Sequence, residues 1–287
     1  MSTYRNSAKQ VFYRDGVKTV GYRDGAKVWG GDTVAPYWSL VNDGTSDRFD
    51  TPVTMENVRG GWVSEDGWDM IIQDEVINQV KNSAMSVGWN MNTLTNNNTN
   101  NGIGKGHGFG FSRDGLRMYV SIATAINDAK IEQRDLIGQF NTKDNVLTTT
   151  LDINAASDGC NNIATSADGT KLWVTSSNNR VLQYSLPTPT ELAGATLDGF
   201  LSLPYRPISI FVRADEKQLF IVGATSDVYS YSMDTNDVLG AVELESQSIT
   251  ASTVRGISFK PDGRKLFAFS DGGTFGFIYE IILTGQN

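Results

Sequence analysis

The 287-residue chain has a single cysteine, Cys160, and a single histidine, His107. One cysteine excludes an internal disulfide and a cysteine-based zinc site. One histidine means that any Ser-His-Asp or Cys-His arrangement would have to use His107 as its base. No stretch reaches the roughly 18 apolar residues that a membrane-crossing helix needs. The opening "MSTYRNSAKQ" lacks the apolar centre of an export signal, so the expectation is a protein made in a cytoplasm, unexported and unanchored. Basic residues are scarce, 24 Lys and Arg against 32 Asp and Glu, giving a net charge of −8. That balance argues against a general nucleic-acid binder, because phosphates demand a surplus of cations. Proline is also scarce, 7 residues against 29 glycines, which suits many short strands joined by tight turns. The length fits one large all-β domain or two ordinary ones.

What is present is repetition. Five segments align without a gap: "GWVSEDGWDMII", "FGFSRDGLRMYV", "IATSADGTKLWV", "IFVRADEKQLFI" and "ISFKPDGRKLFA". Their turn aspartates are Asp66, Asp114, Asp168, Asp215 and Asp262, spaced by 48, 54, 47 and 47 residues. Met70, Met118, Leu172, Leu219 and Leu266 follow four residues later, and Ile71, Tyr119, Trp173, Phe220 and Phe267 come next. Alternating apolar residues before the turn and an apolar–aromatic pair after it predict two strands. Asp-Gly between them supplies the backbone angles of a tight hairpin. The fourth repeat has Asp215-Glu216, so its turn is expected to relax or lengthen. Third strands are predicted at "VGWNMNT" (87), "IGQFNT" (137), "VLQYSL" (181), "VYSYSM" (228) and "FIYEII" (277), and fourth strands at "VLTTTLDI", "ATLDGFLSL" and "GAVELESQ".

Four antiparallel strands per unit of roughly 40–50 residues is the pattern of a β-propeller blade. The five segments resemble YVTN-type and WD-like propeller repeats, whose core is apolar–x–apolar–Ser–x–Asp-Gly followed by a Leu–aromatic–Val strand. Ser64, Ser112 and Ser166 match the serine. The resemblance covers about residues 55–283 and implies an all-β fold, a five-bladed β-propeller over 34–287. The fifth repeat has no fourth strand after "FIYEIILTGQN". Either "SDRFDTPVT" (46–54) or "PYWSLV" (36–41) is expected to supply it and close the ring.

The innermost strand of each blade should line a central channel. These read "VRGGWVS", "GHGFGFS", "CNNIATS", "PISIFVR" and "VRGISFK", with no Asp or Glu in the axis-facing stretch. A glycan hydrolase needs two carboxylates about the scissile bond, so catalysis is not expected. Asp128, Glu132 and Asp135 read as loop carboxylates, and "GIGKGHGFGF" feeds a strand and not a helix, so it is no phosphate loop. No cofactor and no metal site are expected, with a calcium ion among the loop aspartates or in the channel left open by the sequence. Arg59, Lys105, His107, Asn161, Arg206 and Arg255 lie at the starts of the inner strands and should gather at one mouth of the channel. Backbone carbonyls and carboxylates could occupy them. Alternatively they form an anion site for sialate, uronate or lipopolysaccharide phosphate, since Arg grips such groups bidentately. The polar tracts 95–106 and 123–135 read as long loops on the same face.

Ahead of the repeats, Tyr13-Arg14-Asp15-Gly16 returns as Tyr22-Arg23-Asp24-Gly25, and the run stops at Trp29. A three-stranded meander is expected, with Tyr13, Tyr22, Val28 and Trp29 as partner-binding residues, because so small a sheet must pack on something. This segment resembles the openings of bacteriophage tail and other minor virion proteins, which often read aromatic–x–Asn/Asp-Gly–x–Lys-Val-Trp. The resemblance implies a non-enzymatic virion protein: residues 1–33 attach it to other virion proteins or sister chains, and the propeller supports the particle or recognises a host-surface glycan. The competing readings are a bacterial propeller lectin or scaffold, and a propeller glycan hydrolase or lactonase.

Overall fold

The computed structural model describes residues 13–14, 17–18, 22–23, 26–27, 37–50, 58–74, 79–101, 106–123, 128–157, 159–233, 237–249, 253–272 and 276–283. Four two-residue strands come first: β1 (Tyr13–Arg14) pairs with β2 (Val17–Lys18), and β3 (Tyr22–Arg23) with β4 (Ala26–Lys27). They form two separate two-stranded sheets in place of the expected three-stranded meander. Each Tyr-Arg finds its partner across its own Asp-Gly pair, so the sequence repeat is itself the hairpin.

The remaining strands make five four-stranded antiparallel sheets. The first blade is β6 (Val58–Val63), β7 (Asp69–Asp74), β8 (Gln79–Met85) and β9 (Leu94–Asn101). The second is β10 (Gly106–Phe111), β11 (Arg117–Ala123), β12 (Ala129–Leu136) and β13 (Asn145–Asp152). The third is β14 (Cys160–Thr165), β15 (Lys171–Ser176), β16 (Arg180–Ser185) and β17 (Thr196–Ser202). The fourth is β18 (Pro207–Val212), β19 (Gln218–Gly223), β20 (Asp227–Ser232) and β21 (Val242–Ser248). The fifth is β22 (Thr253–Phe259), β23 (Lys265–Asp271), β24 (Gly276–Leu283) and, as its outer strand, β5 (Asn42–Asp50). This is the expected five-bladed propeller. The early strand β5 runs antiparallel along β24, with Phe277 opposite Asp50 and Ile281 opposite Ser46, and so closes the ring. The only helical turns among the described residues are Met91–Thr93 and Val238–Gly240, both 3-10.

Pleat alternation explains how the ring holds together. Side chains on successive residues of a strand leave by opposite faces. In each second strand the Met or Leu therefore packs on one neighbouring blade and the next residue on the other. Ile71 joins Phe109 and Val120, Tyr119 joins Ile163 and Val174, and Trp173 joins Ile210 and Ile221. Phe220 joins Ile257 and Ala268, and Phe267 joins Val63 and Met70 across the closure. Five clusters fill five blade interfaces. The inner strands approach so closely that a Cβ on Gly108 would lie 2.1 Å from the Asn161 carbonyl oxygen, and one on Gly256 2.5 Å from the Gly61 nitrogen. Glycine is required at both, as the crowding of glycines around the axis suggests.

Several expected strands shift. "VGWNMNT" and "IGQFNT" are not third strands; those are Gln79–Met85 and Ala129–Leu136. The two misread stretches are the connections to the outer strands. In them Trp89 and Phe140 take positive φ, 60° and 53°, and donate their N–H to the Gly67 and Gly115 carbonyls. Thr190 does the same to Gly169 in the third blade. Their alternating apolar residues serve to cap a turn. The tract around 95–101 and the stretch 129–135 are likewise strands, not loops. Asn and Thr suit an outermost strand, where the backbone ladder and not side-chain burial supplies the pairing.

The Asp-Gly turns follow one scheme. Ser64, Ser112 and Ser166 donate their hydroxyls to Asp66, Asp114 and Asp168 at 2.6–2.7 Å and accept from the N–H groups of Asp69, Arg117 and Lys171. In the fourth and fifth blades a cation replaces the serine: Arg213 grips Asp215 through two 2.6 Å bonds, and Lys260 sits 2.8 Å from Asp262. The fourth turn neither relaxes nor lengthens. Glu216 adopts φ +57° in glycine's place, and its carboxylate accepts the Ala167 N–H of the third blade. That cross-blade bond offsets the strain of a side chain in the left-handed region.

Candidate functional sites at the two mouths of the channel

The five inner strands run side by side around the axis, so their starts frame one mouth and the Asp-Gly turns frame the other. At the first mouth every inner strand breaks register with its neighbour, between Val58 and Gly60, Gly106 and Gly108, Cys160 and Ile163, Pro207 and Ser209, and Val254 and Gly256. The residues left out of the ladder are Arg59, His107, Asn161 with Asn162, Ile208 and Arg255. A β-bulge of this kind re-aims the side chain it carries. Four of the residues singled out in the sequence thus occupy one structural position in four blades. In the fourth blade Ile208 holds that position and Arg206 lies just ahead of it, exposed.

Contacts at this mouth are specific. The Asn161 amide donates to the Pro207 carbonyl at 2.7 Å, and its oxygen accepts from Arg206 at 3.3 Å. Arg206 also reaches Ser177 at 3.4 Å. Arg255 lies 3.9 Å from Asp271, and His107 Nε2 lies 3.1 Å from the Ala123 carbonyl, a donor contact. Asn161 and Arg206 are brought together. Lys105, Val28 and Trp29 lie outside the described residues, as do the side chains of Tyr13 and Tyr22.

The carboxylates that read as loop residues sit on strands or at their edges with cations beside them. Glu132 takes Arg134 at 2.7 Å, Asp135 lies 3.4 Å from Arg117, and Asp128 lies 3.8 Å from Lys130. Cys160 is buried, its thiol directed at the Ile122 and Lys130 carbonyls. Burial pushes that thiol up to about 12, so it is not a nucleophile near neutrality. The Asp168 carboxyl is held below its usual range, chiefly by the Ser166 hydroxyl and the Thr170 N–H. Asp69 is raised by burial, with Asp66 adding to it. Among the described residues no three His, Cys, Asp or Glu side chains cluster as metal ligands do.

The other mouth opens into an axial pocket of about 550 Å³. Its walls are aromatic. Trp62, Phe111 and Phe140 pack together with centroids 4.6–5.5 Å apart on the side of the first two blades. Trp38, Phe211 and Phe259 pack at 5.1–6.3 Å on the side of the last two. Trp38 is locked by Gln218, which accepts from its N–H at 2.8 Å and donates to its carbonyl at 2.9 Å. It covers Gly263 just as Trp89 and Phe140 cover Gly67 and Gly115. The sequence signal for these rings is Trp62, Phe111, Phe211 and Phe259, which stand three or four residues before the turn aspartates.

No protein-family model matches the chain, and no curated protein matches it. Among solved structures it is similar to the β-propeller domain of Myceliophteria thermophila Cps50 (Swd1), at 11% identity and a TM-score of 0.44. The match spans 77% of this chain and 65% of that one. At that distance the likeness carries no functional information.

Proposed function

We propose that this chain is a non-enzymatic virion protein of a phage tail or appendage, with the propeller as a host-recognition head and residues 1–33 as its attachment segment. The observation that carries the recognition role is the set of five register breaks at one mouth, with Arg59, His107, Asn161 and Arg255 on four of them. A bulge repeated in every blade, with a polar or cationic residue on it in four, suits an acidic glycan, because a uronate or sialate carboxylate is a planar bidentate acceptor. The attachment role is supported by the likeness of the Tyr-Arg-Asp-Gly hairpins to virion openings. It is supported also by their size, since each hairpin has two paired residues per strand and too little surface to stand alone. All five sheets already have four strands, so no blade has a place for them.

Two experiments test the reading. Glucuronate and sialyllactose should bind the full chain, and Arg59→Ala with Arg255→Ala should weaken that binding at least tenfold; unchanged binding removes the recognition site. The chain should also be stoichiometric in intact particles. A monomer that binds sugar without residues 1–33 would favour a lectin, and activity lost on chelation would favour a hydrolase or lactonase.

A further inference from the structure

We infer that the axial pocket at the turn mouth is a second ligand site, built for a neutral pyranose unit. The inference stands on the propeller alone and, of the residues at the register breaks, uses only Asn162, which lines this pocket. A volume of about 550 Å³ lies within the range of small-molecule sites, ~300–1,000 Å³. The two aromatic groups, Trp62 with Phe111 and Phe140 and Trp38 with Phe211 and Phe259, give it opposed apolar walls. A sugar ring has a C–H face that meets the electron-rich face of an aromatic ring, and a polar edge that must be hydrogen-bonded.

The polar edge has a partner. Asn162 lines the pocket and is 5% exposed. Its Oδ1 accepts from the Ile163 N–H at 2.7 Å, while its Nδ2 has no acceptor among the described residues. A wholly apolar ligand would bury that donor without satisfying it; a sugar hydroxyl or ring oxygen accepts from it.

Charge selects against ions. Every charged group lining the pocket is already engaged: Asp215 by Arg213, Glu216 by the Ala167 N–H, Asp66 by the Ser64 hydroxyl, and Glu65 by Arg113 at 3.9 Å. An anion would meet four carboxylates and only two guanidinium groups (4 − 2 = 2 surplus negative charges), and a cation would compete with Arg113 and Arg213. A neutral ligand meets neither difficulty.

The test uses the full chain. Saturation-transfer NMR is run with glucose, galactose, mannose and N-acetylglucosamine, and with indole and adenine as neutral rings that are not sugars. At least one of the four sugars is expected to receive saturation, most strongly on its C–H protons. Trp62→Ala and Asn162→Ala, each checked for an unchanged melting profile, are expected to weaken it at least tenfold. If Trp62→Ala does not fold, Trp62→Phe keeps a smaller ring and should weaken binding several-fold. Transfer to indole or adenine alone, transfer to no sugar, or sugar binding indifferent to both substitutions would overturn the assignment. None of these results depends on acidic glycans or on Arg59 and Arg255, so the two sites fail separately.

Discussion

The two mouths of the channel are made by the same five strands, yet one is irregular in its ladder and the other uniform in its turns and walled by aromatic rings. At the first, each inner strand carries one residue too many for its neighbour, and the residues at these breaks differ in chemistry from blade to blade. At the second, each strand ends in a turn of constant length whose carboxylate is spent on the turn itself. A repeated fold can therefore vary chemistry where the ladder is broken and keep shape where it is closed. The aromatic residues at the closed end belong to both packing and pocket, which makes that mouth rigid.

The sharpest way to break this contrast is to remove Trp38, which is buried at the turn mouth and clamped by Gln218. Trp38→Ala should cost about 3–5 kcal/mol, read from the midpoint of urea unfolding at unchanged slope. At the bulged mouth, Gly108→Ala drives a methyl group onto the Asn161 backbone and should cost about 1–3 kcal/mol. If it were neutral, the close approach of the second and third blades would be wrong.

A smaller effect separates the fourth turn from the other four. Glu216→Ala loses the Ala167 bond and keeps a side chain at positive φ, whereas Glu216→Gly loses the bond but relaxes the backbone. Alanine should therefore be the less stable variant by about 1 kcal/mol. Smaller still is an acid effect. The Asp168 carboxyl has a folded pKa below its ordinary value, so its contribution is present above the ordinary carboxylate range and is lost as pH falls through the lowered value. Asp168→Asn should flatten the acid limb of the stability curve by lowering stability slightly at neutral pH while changing little below the lowered value.

The sequence made the blades readable because Asp-Gly, with an apolar–aromatic pair at fixed distance, ties a turn to a buried strand. It also offered two candidate segments for closing the ring, 46–54 and 36–41; the strand that pairs is Asn42–Asp50, which shares only residues 46–50 with the first. It misplaced the third strands of the first two blades, because the alternating apolar residues of "VGWN" and "IGQFN" imitate strands while capping turns through Trp89 and Phe140. The bulges could not be read, since a bulge is a mismatch between two strands and neither strand alone records it. The pocket was missed for another reason: its rings look like ordinary core residues until the axis they surround is known.

The two mouths can be compared in one titration, because His107 is the only histidine and its imidazole resonance is unambiguous. Glucuronate should move the His107 resonance and leave the Trp62 indole where it is, while N-acetylglucosamine or another neutral pyranose that binds should do the reverse. Movement of the Trp62 indole by both ligands, with His107 unmoved by either, would contradict the account of two separate sites.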